Sequence, residues 1–232
     1  MSGRQALALQ LQQLGLELLP SADDVVDVRT PDSAWLCDAL AGLGIAVQAI
    51  ADGCRISVPA DANACARLQR AVAAALAPEA LLLDLDGVLA DIEGRRALVE
   101  PSVVQSLAAR WPLGVVTSCP RRLAESVLGR HGFAPFVRTV VCSEDGPGKP
   151  DPAPVRLALQ RLEVTSAWML GDNPSDVQAA RAAGVVPLAI APHGIAAEAH
   201  AERLRAAGAA RLVPGPADVL RLVKKPKSPH RW

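Results

Sequence analysis

The chain has 232 residues, enough for one large domain or a medium domain beside a small one. Lysine plus arginine and aspartate plus glutamate both count 24, so the formal net charge is zero and no overall field draws the chain to nucleic acid or to an acidic membrane. Pro78, Glu79 and Asp84 break the longest apolar stretch, which excludes a membrane span, and Arg4 and the glutamines near the start do not suit a secretory signal, so a cytoplasmic protein is expected.

In chain order, Leu7, Leu11 and Leu14 recur at helical spacing before Gly15, predicting an amphipathic helix over 4–14. Residues 25–30 (VVDVRT) predict a strand. Leu36, Leu40 and Leu43 predict a second helix closed by Gly44. Residues 45–50 (IAVQAI) and 54–59 (CRISVP) predict a hairpin, and Asp61 caps a third helix carrying Cys65, Leu68, Val72 and Leu76. Residues 1–78 therefore read as a small α+β domain. From Leu81 short apolar runs alternate with helical stripes, the pattern of a parallel sheet with helices on both faces. The predicted strands cover 81–86, 113–118, 137–142, 167–172, 185–190 and, more weakly, 210–213, so residues 79–223 read as an α/β core. The basic tail 224–232 (KKPKSPHRW) is expected to be disordered. Cys37, Cys54, Cys65, Cys119 and Cys142 are odd in number and lack metal-ligand spacing, so they read as reduced core thiols.

Ligands of such sheets bind at the carboxyl ends of the strands. Those ends bring Asp84 and Asp86, then Thr117 and Ser118, then Lys149, then Asp172 and Asp176. A carboxylate at the end of a buried run is costly to desolvate unless it is paired, hydrogen-bonded or bound to a cation. Hard oxygen ligands with few positive neighbours suit Mg²⁺, which keeps waters that a substrate phosphate can displace. One lysine can act as a point charge on a phosphoryl oxygen and relieve repulsion among the acids. The set fits phosphoryl transfer. Asp91 reads equally as a solvated loop acid, and Ser118 equally as a helix cap or a ligand contact.

The segments DLDGVLAD (84–91), VVTS (115–118), GKPDP (148–152) and GDNPSD (171–176), in this order, resemble the four motifs of the haloacid dehalogenase (HAD) superfamily, and specifically its phosphatase branch. The resemblance covers about residues 80–223 and implies a HAD-like Rossmannoid sheet. By it, Asp84 is the nucleophile that becomes an aspartyl phosphate and Asp86 the general acid and base. Thr117 and Lys149 hold the transferring phosphoryl, with Ser118 beside them. Mg²⁺ is held by Asp84, the main-chain carbonyl of Asp86 and Asp172, while Asp176 orients Lys149 or a metal-bound water. Neither the gap after Asp91 nor that between Ser118 and Lys149 fits a full cap, so the core is expected to be capless or nearly so. The substrate expected is a small phosphorylated metabolite. A phosphomutase or phosphotransferase is the enzymatic alternative, and a non-catalytic module docking on an aminotransferase is the alternative of another class.

The N-terminal region carries a second resemblance, through LGLELLPS (14–21), VDVRTPD (26–32) and CRISVP (54–59), to the small C-terminal domain of histidinol-phosphate aminotransferase. The large domain with the cofactor lysine has no counterpart here, so transamination is not implied. The resemblance makes Arg55 a candidate contact for an anionic substrate end; otherwise it is an exposed strand arginine. Joined to a phosphatase core, it suggests histidinol phosphate as substrate. The unit is expected to cover the strand ends, to pair with a second chain as a homodimer, or both. His193 and His200 read as cap or surface groups, and Cys119 as a small buried residue at the head of a helix.

Overall fold

A computed structural model describes residues 3–22, 24–30, 32–51, 53–59, 61–191, 194 and 196–222. The expected basic tail and His193 lie outside the described residues. The N-terminal unit runs α1 (Gly3–Gln13), β1 (Glu17–Leu19), β2 (Val25–Arg29), α2 (Ser33–Gly42), β3 (Val47–Ile50), β4 (Gly53–Ser57) and α3 (Ala62–Leu76). Its strands form an antiparallel sheet in the order β1-β2-β4-β3. The helix starts follow the sequence: the Asp32 carboxylate accepts from Trp35 N at 2.9 Å, and that of Asp61 from Asn63 N and Ala64 N at 3.2 and 2.8 Å. Strand β1 was not expected, because three residues are too few to show an alternation. Cys37 Sγ and Cys54 Sγ face each other at 2.9 Å as free thiols.

The core follows as β5 (Ala80–Leu83), a hairpin of β6 (Ala90–Asp91) and β7 (Arg96–Ala97), α4 (Pro101–Ala108), β8 (Leu113–Val116), α5 (Arg121–Arg130), β9 (Val137–Val141), α6 (Ala153–Leu162), β10 (Ala167–Gly171), α7 (Pro174–Ala182), β11 (Val186–Ile190), α8 (Ala197–Ala207) and β12 (Arg211–Val213). Among the described residues six strands make one parallel sheet, ordered β12-β11-β10-β5-β8-β9. The chain leaves β5 toward β8 and β9, then crosses back to β10 on the other side of β5. This reversal is a topological switch point, and it opens a crevice at the carboxyl ends of β5, β8 and β10. Only the small hairpin and α4 stand between β5 and β8, so no full cap domain follows the first motif. No described helix is long and apolar enough to cross a membrane.

Alternation along the strands assigns the two faces. Ala80, Leu82, Ala167 and Met169 pack with Val155 and Ala158 of α6 and Ala179 and Ala180 of α7. Leu81, Leu83, Trp168 and Leu170 point the other way, where α4 and α5 supply Val104, Leu107, Ala124 and Leu128. The N-terminal unit completes that second face over β10 and β11, and its own core belongs to the same continuous apolar cluster. Trp168, fully buried, donates Nε1 to Ala74 O of α3 at 2.8 Å and meets the ring of Trp35 edge-on at a centroid distance of 4.8 Å. Arg211 of β12 pairs with Asp38 of α2 at 2.5 Å and lies over the Trp35 ring.

These contacts correct the expectation that the small unit covers the strand ends. Trp168 is the second residue of β10, and the seam involves the segments just before β10 and β11, away from the ends where the acids lie. The physical reason is apolar area: without α2 and α3, one face of β10 and β11 would meet water.

Candidate active site

Asp84 directly follows β5 and is buried, and its Oδ1 accepts from Leu85 N at 2.8 Å. Lys149, in the loop before α6, places its ammonium 2.9 Å from Asp84 Oδ1, 2.5 Å from Asp176 Oδ1 and 3.0 Å from the main-chain oxygen of Val116, the last residue of β8. Its three hydrogens thus face three oxygens. Asp176 is buried in the first turn of α7, where Oδ2 accepts from Asp172 N and Asn173 N at 3.2 and 3.0 Å. One carboxylate therefore caps a helix and anchors the lysine.

Asp172, one residue past β10, is held by Asn173 Nδ2, which donates to its Oδ1 at 2.8 Å. Gly87, at φ +77°, lets the first-motif loop pass against it; a β-carbon there would collide with the Asp172 carboxylate. Thr117, buried at the end of β8, accepts from Cys119 N at 3.1 Å, which leaves its hydroxyl hydrogen free to donate. Asp86 is exposed at the opening, and Ile92 N of the hairpin donates to its Oδ1 at 2.9 Å.

Burial, helped by the Asp176 charge and opposed by Lys149 and the Leu85 N–H, pushes Asp84 up to about 7. Burial likewise raises Asp172. Burial works against the charge on Lys149, but Asp84 and Asp176 outweigh it and hold the ammonium above its ordinary range. Oxygens of Asp84, Asp172 and Asp176 approach within 4.8 Å of one another, and among the described residues Lys149, paired with Asp84 and Asp176, is the one cation in ion-pair contact with the group. Three carboxylates against one ammonium leave two negative charges in excess. Together with the all-oxygen donor set, that fits a hard divalent cation such as Mg²⁺.

Not every predicted residue joins this group. Ser118 is exposed beside it and Cys119 is half-buried. Asp91 ties the hairpin instead: it accepts from Gly94 N at 2.8 Å and from Arg96 Nε at 3.0 Å. Arg55 sits on β4 and makes a two-bond pair with Asp27, its register neighbour on β2, at 2.8 and 2.7 Å. Its guanidinium is thus engaged within the small unit and not with the acids. His200 was expected to be a cap or surface group, yet from α8 its Nε2 lies 2.7 Å from Asp172 O. Arg203 donates to His200 Nδ1 at 2.9 Å, which assigns the Nε2–H tautomer, and both side chains line a cleft of about 400 Å³ beside Gly87 and Asp172. The sequence signal for this pair was their i,i+3 spacing on one helix face.

Residues 101–190 match the haloacid dehalogenase-like hydrolase family. A phosphoglycolate phosphatase of Cupriavidus necator is 38% identical over 114 residues, 46% of this chain and 49% of its own length. An imidazoleglycerol-phosphate dehydratase of Phytophthora nicotianae is 36% identical over 112 residues, 47% of this chain and 25% of its own. The chain thus spans about half or less of the curated relatives it matches. Among solved structures, a haloacid dehalogenase-like hydrolase of Streptococcus pneumoniae superposes with a TM-score of 0.51 at 16% identity, covering 62% of this chain and 97% of its own. The matched segment contains Lys149, Asp172 and Asp176, and the superposition extends over 62% of the chain, so the α/β core of this chain has the haloacid dehalogenase-like fold.

Proposed function

We propose that the protein is a Mg²⁺-dependent phosphomonoesterase that works through an aspartyl phosphate on Asp84. The observation that carries this reading is the placement of Lys149 between Asp84 and Asp176 at the mouth of the switch-point crevice. Asp84 Oδ1 is occupied by Lys149 and the Leu85 N–H, which leaves Oδ2 as the attacking oxygen. That oxygen bonds to phosphorus while the bond to the leaving alkoxide breaks, and Asp86 gives the alkoxide its proton. Asp86 then takes a proton from the water that attacks phosphorus, and the Asp84–phosphorus bond breaks to release inorganic phosphate. The hydroxyl of Thr117 donates to a phosphoryl oxygen, and Lys149, its hydrogens engaged by Asp84, Asp176 and the Val116 carbonyl, acts on the phosphoryl group through its positive charge. Asp84, the carbonyl of Asp86 and Asp172 would hold Mg²⁺, with Asp176 fixing Lys149. When bound, the ion supplies positive charge to the phosphoryl group. The uncapped mouth gives water access and so favours hydrolysis over transfer to a second substrate.

The substrate class is a small phosphorylated metabolite, and histidinol phosphate is the member we single out. The aminotransferase-like N-terminal sequence supports it, as does the match to a protein named for imidazoleglycerol phosphate. The test is phosphate release, with Mg²⁺ and with EDTA, from a panel of monoesters that includes histidinol phosphate and phosphoglycolate. Mg²⁺-dependent release with the highest kcat/KM on histidinol phosphate is expected. Release favouring another ester corrects the substrate, and no release from any ester overturns the activity.

A further inference from the structure

On the side of the sheet away from the acids, a second cleft of about 750 Å³ opens at the seam between the small unit and the core. It lies among α3, the loop after α2 and the segments that lead into β10 and β11. Four exposed arginines line it: Arg67 and Arg70 from α3, Arg156 from α6 and Arg181 from α7. No carboxylate lines it, and among the described residues none pairs with any of the four. In a chain of zero net charge this is a local excess of like charge, which is unfavourable without a counter-anion.

The arginines come from both sides of the seam, and two are held in place. Arg156 donates Nη2 to Ala182 O at 3.0 Å, which positions its guanidinium at the end of α7. Arg181 passes between the two units: a β-carbon on Gly44 of the small unit would lie 3.0 Å from its Nη2, and one on Gly208 of the core 2.9 Å from its Nη1. Both glycines also have positive φ. Leu68 and Pro59 add an apolar wall.

We propose that this cleft binds a small organic anion that carries a phosphate or phosphonate group and a compact apolar portion, at a site separate from the catalytic one. Guanidinium forks match tetrahedral oxyanions in pairs, and four of them exceed what a single carboxylate can satisfy. The volume lies in the range of small-molecule sites, which are mostly apolar with a few polar groups converging. A ligand here would touch both units and so brace the seam.

Phenylphosphonate, which cannot be hydrolysed at a phosphate ester, is the probe, titrated calorimetrically into the full chain with EDTA present. Without a divalent cation the excess negative charge around Asp84, Asp172 and Asp176 repels a dianion, so the titration reads the cleft. One saturable site is expected, weakened at least tenfold by Arg67→Gln combined with Arg70→Gln, weakened also by Arg181→Gln, and retained in Lys149→Ala, which removes the cation among the acids. Arg67 and Arg70 lie on an exposed helix face, so their variants should keep the wild-type circular dichroism and melting temperature. Absence of saturable binding overturns the proposal. So does binding of full strength in the folded Arg67/Arg70 variant, or binding lost in folded Lys149→Ala, which would place the anion at the catalytic centre.

Discussion

Lys149 Nζ lies 2.5 Å from Asp176 Oδ1, while the other oxygen of the same carboxylate caps the first turn of α7. Asp176 is thus a strut between the phosphoryl-binding cation and the helix that follows Asp172. Lys149→Ala should lower kcat by ~10²–10³, the cost of removing one preorganised charge from a transition state. Asp176→Asn should lower it less and destabilise the fold slightly, because the amide can still accept at the helix start. Steady-state kinetics and melting curves on the two variants check this. Equal activity of Lys149→Ala and wild type would contradict it.

Asp172→Asn should raise the Mg²⁺ concentration needed for half-maximal activity, since it removes one of three clustered carboxylates. Gly87→Ala should have the same sign for a different reason: the residue is at φ +77°, and the added carbon pushes the Asp172 carboxylate aside. Activity titrated with Mg²⁺ reads both.

Trp168→Ala should cost ~3–5 kcal/mol, because it empties a fully buried indole site and deletes the hydrogen bond to Ala74 O. The small unit and the core share one apolar cluster, so both should unfold in a single transition. Deleting residues 1–76 should accordingly give an aggregating core. Two separate urea transitions, or a soluble and stable truncated core, would contradict this.

Acid stability offers a third check on the packing. Hydrogen bonding to Arg161, then to Cys142 N–H, with the nearby Arg121 charge, holds the Asp145 carboxyl down to about 2. A carboxyl depressed on folding adds stability above its unfolded pKa, about 3.9, and that contribution is lost as pH falls toward 2. Asp145→Asn should therefore flatten the fall of melting temperature between pH 4 and 2, on the order of that pKa window. An unchanged slope would contradict the pairing.

What was legible in the sequence follows from physical period and burial. The sheet could be read because β5, β8 and β10 are buried on both faces and appear as unbroken apolar runs, each ended by a polar site residue: Asp84, Thr117 and Asp172. Docking of the small unit could not be read, since such a run shows that Trp168 is covered but not by what. The pairing of Arg55 with Asp27 was hidden because it is set by strand register across 28 residues. The hairpin that fixes Asp86 has two-residue strands, too short for any period. His200 reaches Asp172 O from α8 across a contact 28 residues apart in the chain, which the pattern of one helix does not show.

The central claim is that Asp84 attacks phosphorus. Mg²⁺-dependent phosphate release from the best ester of the panel should be lost in Asp84→Asn, which keeps the shape of the side chain and removes its nucleophilic oxygen, while circular dichroism and melting temperature stay at or above wild type because a buried charge is gone. Retention of more than a few per cent of wild-type release in a folded, clean Asp84→Asn preparation would contradict the account.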